Sequence, residues 1–220
     1  MSTSNSRKLA KNTIYLYAGM IVSMLVSLYT SRAILQYLGV DDFGIYNVVS
    51  GVVSLFSIIS GSLTASISRN LTYELGAGNV EKLKKVFYMS VNIQLILILI
   101  VVLLSETVAV WFLNHKMVIP ANRLYAANWV LQFTILTFSI DLFTIPYNAS
   151  IVSHEEMNVF AFLGLLDSIA RLLVVYLIYI SPIDRLISYS ALLFILSLLH
   201  QSIYWHTLCY FLQIDDINLY

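Results

Sequence analysis

Six stretches of this sequence run for more than 20 residues with almost no charge, and together they occupy most of the chain. They are Ile14 to Leu38, Gly44 to about Ile67, Val86 to about Leu113, Tyr125 to Tyr147, Val159 to Ile180 and Leu186 to Leu212. A helix needs roughly 20 mostly apolar residues to cross a bilayer, so each stretch is long enough. Their Val and Ile content does not argue for strands, because runs this continuous lack the alternation of a barrel strand. A backbone in lipid must satisfy its own hydrogen bonds, which leaves helices. Only 11% of residues are charged and 59% are hydrophobic. A soluble domain has about 25% charged residues, and this chain cannot cover a surface facing water. The sequence therefore predicts an all-α integral membrane protein with six transmembrane helices. The connections are short, so residues 1–220 form one membrane domain.

Twelve basic and twelve acidic residues cancel, which gives no ground for a nucleic-acid partner. The single cysteine, Cys209, excludes an intrachain disulfide. The opening MSTSNSRKLAKN is polar and basic, and the apolar run after it is too long for a signal peptide. Orientation follows from the Lys and Arg residues of the short loops. Arg7, Lys8, Lys11, Arg69, Lys82, Lys84 and Lys85 fall on one side, and Lys116, Arg123 and Arg185 on the other. Seven against three predicts both termini in the cytoplasm. The sequons at Asn70 and Asn148 then lie on the cytosolic side and read as chance.

The second run has a distinctive face. Ser50, Ser54, Ser57, Gly61, Thr64 and Ser68 recur at steps of four and three, a single helical stripe. Such a stripe serves close helix packing or lines a polar cavity. Arg32 lies six residues before the end of the first run, roughly 9 Å along a helix. It is either a headgroup anchor or a charge facing a protein interior or cavity. Asp167 and Arg171 are four apart and share a face, as a structural pair or a coupling site. Asp141 precedes Pro146, which should kink or end its helix; it sits near the headgroups or binds a coupling ion. Glu106 falls near the outer end of its run. His200 and His206 do not share a face, and His206 with Cys209 does not make a zinc site. No Walker motif is present, and no nucleophile–base pair. Asp41-Asp42 and Asp215-Asp216 sit at span ends with no second motif. Neither an enzyme nor a cofactor is expected.

Several segments resemble the amino-terminal half of bacterial polysaccharide flippases. These are the exporters of lipid-linked O-antigen or capsule repeat units in the multidrug/oligosaccharidyl-lipid/polysaccharide superfamily. The carriers are KNTIYLYAGMIVSMLVSLYTSRAILQYLGVDDFGIYNVVSGVVSLFS, SRNLTYELGAGNVEKLKKVF, ETVAVWFLNHKMVIPANRLYAANWVLQF and IPYNASIVSHEEMNVFAFLGLLD. Leu-Gly-x-x-x-Phe-Gly-Ile-Tyr at Leu38 to Tyr46 is the most diagnostic piece. The resemblance implies one six-helix lobe of a fold like that of multidrug and toxin extrusion transporters, in which two lobes face a central cavity. It implies alternating-access movement of an undecaprenyl-pyrophosphate-linked oligosaccharide across the bacterial inner membrane. It also implies that Arg32 and Arg69 receive the pyrophosphate. Only one lobe is matched, so a second lobe is expected from another chain or a second copy; a truncated remnant is the alternative. A cation-coupled multidrug antiporter lobe, resting on Asp141 and Asp167, is the competing expectation.

Overall fold

The computed structural model describes the backbone of residues 3–154, 157–181 and 184–217, and the side chains of 13–58, 60–154, 157–181 and 184–206. Cys209, Asp215 and Asp216 lie outside the described side chains. The chain is all-α, 91% helical. Its helices are α1 (Thr3–Leu38), α2 (Val40–Ser54), α3 (Ser57–Gly76), α4 (Val80–Leu104), α5 (Val110–His115), α6 (Leu124–Ser153), α7 (Met157–Ile180) and α8 (Arg185–Ile217). A π-helical turn, Ser105–Ala109, joins α4 to α5 within one membrane-length helical stretch, Val80–His115. Five described helices are long and apolar enough to cross a membrane: Thr13–Leu38, Val80–His115, Leu124–Ser153, Met157–Ile180 and Arg185–His206. This is the architecture of a multi-pass membrane protein.

The expected second span, Gly44 to Ile67, is not one helix. It is divided between α2 and α3 at Leu55 and Phe56, and neither part alone qualifies as a span. Both linking residues keep right-handed helical dihedrals. The ladder tightens there, with Phe56 N–H donating to the Val53 carbonyl three residues back, at 3.1 Å. Serine hydroxyls flank the break. Ser54 donates to the Gly51 carbonyl at 2.8 Å and Ser60 to the Ser57 carbonyl at 2.7 Å. Hydroxyls bonded to the preceding turn compete with the helix ladder and bend it, and Gly51 adds backbone freedom. Pro146 does not end its helix: α6 continues through it to Ser153. Pro146 itself is buried.

α6 is the axis of the bundle. It packs on α2, α3, α4 and α8, and Ala127, Val130, Leu131, Ile135 and Leu142 along it are almost fully buried. α1 lies along α7. The two approach closely at Gly19, where a Cβ would stand 3.1 Å from the Ala161 Cβ. The Tyr29 and Tyr176 hydroxyls share a hydrogen bond of 3.0 Å farther along. The outward sides of α1 and α4 carry large exposed apolar residues, among them Met20, Met24, Leu28, Ile96 and Leu99, as lipid contact requires.

Each end of the bundle is closed by its own device. At one end Gly39, with φ +85°, reverses the chain between α1 and α2; a conformation left-handed in sign suits glycine. Asp42 then reaches Arg123, at the start of α6, with a distance of 2.9 Å to Nη2. Arg123 Nη1 pairs with Asp184, just before α8, and Arg185 donates to the Tyr37 carbonyl at 3.0 Å. Burial pushes the Asp42 carboxyl above its usual range; Arg123 opposes this, and Asp184 and Asp41 add to it. At the other end Gly78, with φ +67°, ends α3. Asn79 N–H donates to Glu74 and Gly78 N–H to Leu75, the paired bonds that close a helix on a glycine. Asn79 then caps α4 by accepting from Lys82 N–H at 3.0 Å. Leu71, Leu83 and Ala149 pack together there. The α2–α3 path thus runs from one end of the bundle to the other.

Candidate functional site

Between α2, α6, α7 and α8 lies an open cavity of about 260 Å3. Ser50 and Ser54 of α2 and Ser57, at the start of α3, form one wall. Thr134, Thr137 and Asp141 form another; their spacing of three and four puts them on one face of α6. Tyr46, Ser190 and Arg171 complete the polar lining, with Val53, Phe138 and Leu193 between them. Four of the hydroxyls already donate to backbone carbonyls: Ser50 to Asn47, Ser54 to Gly51, Thr134 to Val130 and Ser190 to Ile187. Their protons are committed to their own helices, so what they offer a ligand is lone pairs.

Arg171 is held at one end and free at the other. Its Nε donates to Asp167 at 2.8 Å, and Asp167 also lies 3.6 Å from His200 Nδ1. Among the described residues nothing accepts from the two terminal nitrogens of Arg171. The side chain is 45% exposed toward the cavity. Nε anchoring fixes the guanidinium plane, and the remaining N–H groups form the fork that suits a phosphate or carboxylate. Asp141 stands in the same cavity, within electrostatic reach of Arg171, Asp167 and His200. With a neutral imidazole, the four groups sum to one negative charge.

The residues singled out from sequence separate into two sets. Ser50, Ser54, Ser57, Asp141 and Arg171 meet in the cavity, with Asp167 bonded behind Arg171. Gly61 and Thr64 do not line it; Gly61 is exposed, and Thr64 donates to the Ser60 carbonyl at 2.9 Å. Arg32 and Arg69 are also elsewhere. Arg32 is exposed, on the side of α1 opposite the buried Thr30 and Ile34. Arg69 is exposed, on the side of α3 opposite Ile67 and Leu71. Neither has a hydrogen-bond or ion-pair partner among the described residues. Sequence reasoning did not find Thr134, Thr137, Ser190, Tyr46 or His200 as members of the site. The Thr134–Thr137–Asp141 spacing was a readable signal, whereas His200 meets Asp167 only through tertiary packing.

A larger recess of about 810 Å3 lies beside the Asp42–Arg123 pair, lined by Leu38, Ile45, Phe112, Val118 and Ile119 among others. Its charged members are already paired or face outward, and it presents no free cation. Among the described residues no three His, Cys, Asp or Glu side chains are placed to hold a metal ion. No protein-family model, no curated protein and no solved structure matches the chain.

Proposed function

We propose that this chain is one lobe of a bacterial inner-membrane transporter that moves an undecaprenyl-pyrophosphate-linked oligosaccharide between leaflets by alternating access. Its flippase-like segments point to that substrate. The observation that carries the reading is Arg171, a guanidinium fixed through Nε with its terminal nitrogens free, inside a hydroxyl-lined cavity between long apolar helices. Charge at that depth is costly unless it faces a cavity or a partner. At about 260 Å3 the cavity is smaller than the roughly 300–1,000 Å3 of a drug-sized ligand site; it suits a pyrophosphate group, with the glycan lying beyond it. In this reading Arg171 takes the pyrophosphate role that the resemblance implied for Arg32 and Arg69. Asp141 is the coupling group, because an anion on Arg171 requires that its negative charge be covered by a proton or a metal cation.

The chain crosses the membrane six times in this reading, the second crossing made by α2 and α3 in series, with both termini in the cytoplasm. The cavity is open on one side, and a polar opening among apolar helices needs cover. A second six-helix lobe supplies it, from another chain or a second copy, since alternating access rocks one bundle against another around a shared site.

A competing reading is a cation-coupled multidrug antiporter lobe, favoured by Asp141 and by the acceptor lone pairs of the cavity wall. The full chain in nanodiscs separates the two. The probes are a short prenyl pyrophosphate and tetraphenylphosphonium. Saturable binding of the pyrophosphate that Arg171→Ala abolishes and Arg171→Lys weakens is the expected result. Binding of the organic cation alone, lost in Asp141→Asn, would replace the proposal with the antiporter reading.

A further inference from the structure

Lys82 and Lys85 are exposed on the first turns of α4, three residues apart and on one face. The same face runs on as Met89, Ile93, Ile96 and Ile100, all exposed, at steps of four, four, three and four. The two cations therefore stand at the end of an outward apolar stripe, not over a protein groove. The next charged residue along the helix is Glu106, 21 residues beyond Lys85 (106 − 85). At 1.5 Å per residue that is about 31 Å, close to the ~30 Å hydrocarbon thickness of a bilayer. A bilayer in that register puts Lys85 level with the headgroup phosphates of one leaflet and Glu106 level with those of the other.

The neighbouring helix presents matching chemistry at the same end. Arg69 is on the outward side of α3, and Tyr73, one turn later on that side, is 73% exposed. Tyr88, next to the lysine face of α4, is 66% exposed. Tyrosines of this kind belong at headgroup depth, ring toward the acyl chains and hydroxyl toward water. Against Arg69, Lys82 and Lys85 the segment sets an exposed Glu81 and a half-buried Glu74. None of the three cations is ion-paired among the described residues, so the outward surface is net positive.

We propose that Arg69, Lys82 and Lys85 form a recognition surface for anionic phospholipid headgroups of the surrounding leaflet, distinct from the Arg171 cavity and independent of what that cavity carries. Cations at a membrane surface favour anionic lipid by about fivefold each at low salt. The test is native mass spectrometry of the full chain released from micelles holding equal amounts of phosphatidylglycerol and phosphatidylcholine. Wild type should retain phosphatidylglycerol at least fivefold in excess. The triple variant Arg69→Gln, Lys82→Gln, Lys85→Gln should bring the ratio near one, while Lys82→Arg with Lys85→Arg should leave it high. Millimolar inorganic phosphate should not compete, since the surface needs acyl chains along the Met89–Ile100 face. Should the triple variant fail to fold, the ratio of wild type is read at low salt and at about 0.5 M salt, where screening should collapse it. Equal retention of the two lipids by wild type, a ratio unmoved by the triple variant or by salt, or full competition by phosphate would overturn the proposal.

Discussion

Two arginines in this molecule each serve a pair of aspartates, and they do it in opposite ways. Arg123 spends both terminal nitrogens, one on Asp42 and one on Asp184. Its fork is filled by three connections of the chain meeting at one end of the bundle. Arg171 spends only Nε, on Asp167, and turns its fork to a cavity that also holds Asp141. Similar residues make a clamp where protein closes both sides of the guanidinium and a binding site where protein closes one. The distinction lies in which nitrogens are used, and composition is silent on that.

The largest effect expected from this contrast is on ligand binding. Arg171→Ala should weaken prenyl pyrophosphate binding by more than about 30-fold, since each hydrogen bond to a charged group contributes about 1.5–3 kcal/mol. Arg171→Lys should retain part of it, keeping the charge and losing the two-pronged geometry. Arg123→Gln should leave binding unchanged within about twofold. Equal losses from the two arginines would erase the distinction between clamp and site. Asp141→Asn acts in the other direction: removing a like charge beside the bound anion should strengthen binding at pH 7.5 by about tenfold. Titration calorimetry of the variants at pH 7.5 reads both outcomes.

Next in size is the stability of the clamp. Arg123→Gln should lower thermal stability in detergent at pH 7.5 by about 1–2 kcal/mol. A fully buried pair broken on one side costs about 3–5 kcal/mol; here Arg123 and Asp184 are each about a third exposed, and solvent screening reduces the figure. The pH dependence has a definite sign. Burial already raises the Asp42 carboxyl, and removing Arg123 takes away the main opposing charge. A carboxyl raised in the folded state contributes stability that is present below its unfolded value near 3.8 and is lost as pH rises through the folded value. The deficit of Arg123→Gln should therefore shrink between pH 7.5 and pH 5. A deficit independent of pH would mean that Asp42 is not the group left uncovered.

The two clusters also differ in how far they could be read from sequence. Asp167 and Arg171 are four apart on one helix, and the serine stripe has helical spacing, so much of the cavity was visible. The stripe was carried too far: past Ser57 the break at Leu55–Phe56 changes the phase, and Gly61 and Thr64 leave the cavity wall. That break was invisible because Gly44 to Ile67 carries no charge and no proline and reads as one uncharged run. The clamp could not be read at all. Asp42, Arg123 and Asp184 sit 81 and 61 residues apart, and no local pattern links them. Arg32 and Arg69 were visible as charges at the right depth, but a helix face has no outside until its neighbours are placed. The all-α character and the presence of several membrane-length apolar helices were the most legible features, because twenty apolar residues in a row admit few alternatives; the number of helices was not, since the second run is divided in two.

The smallest effect expected tests whether the turn before α2 exists to seat the clamp. Gly39 has φ +85° and no atom within 4 Å of where a Cβ would be, so Gly39→Ala introduces no clash and acts through backbone strain alone. With ψ 165° this is a region that essentially only glycine occupies, and a side chain there costs on the order of 1–3 kcal/mol. The chain can keep the positive φ at position 39 and bear that cost, or relax and draw Asp42, three residues on, away from Arg123. Thermal unfolding of Gly39→Ala, Arg123→Gln and the double variant decides between them. If the turn only reverses the chain, the two losses add, as they do for independent sites. If it holds Asp42 on the guanidinium, the double variant should be less destabilised than the sum by about 0.5 kcal/mol or more, because a clamp already opened by one change cannot be opened again by the other. Strict additivity would leave the clamp as a contact the fold happens to bring together, with the α1–α2 turn shaped by α1 packing on α7.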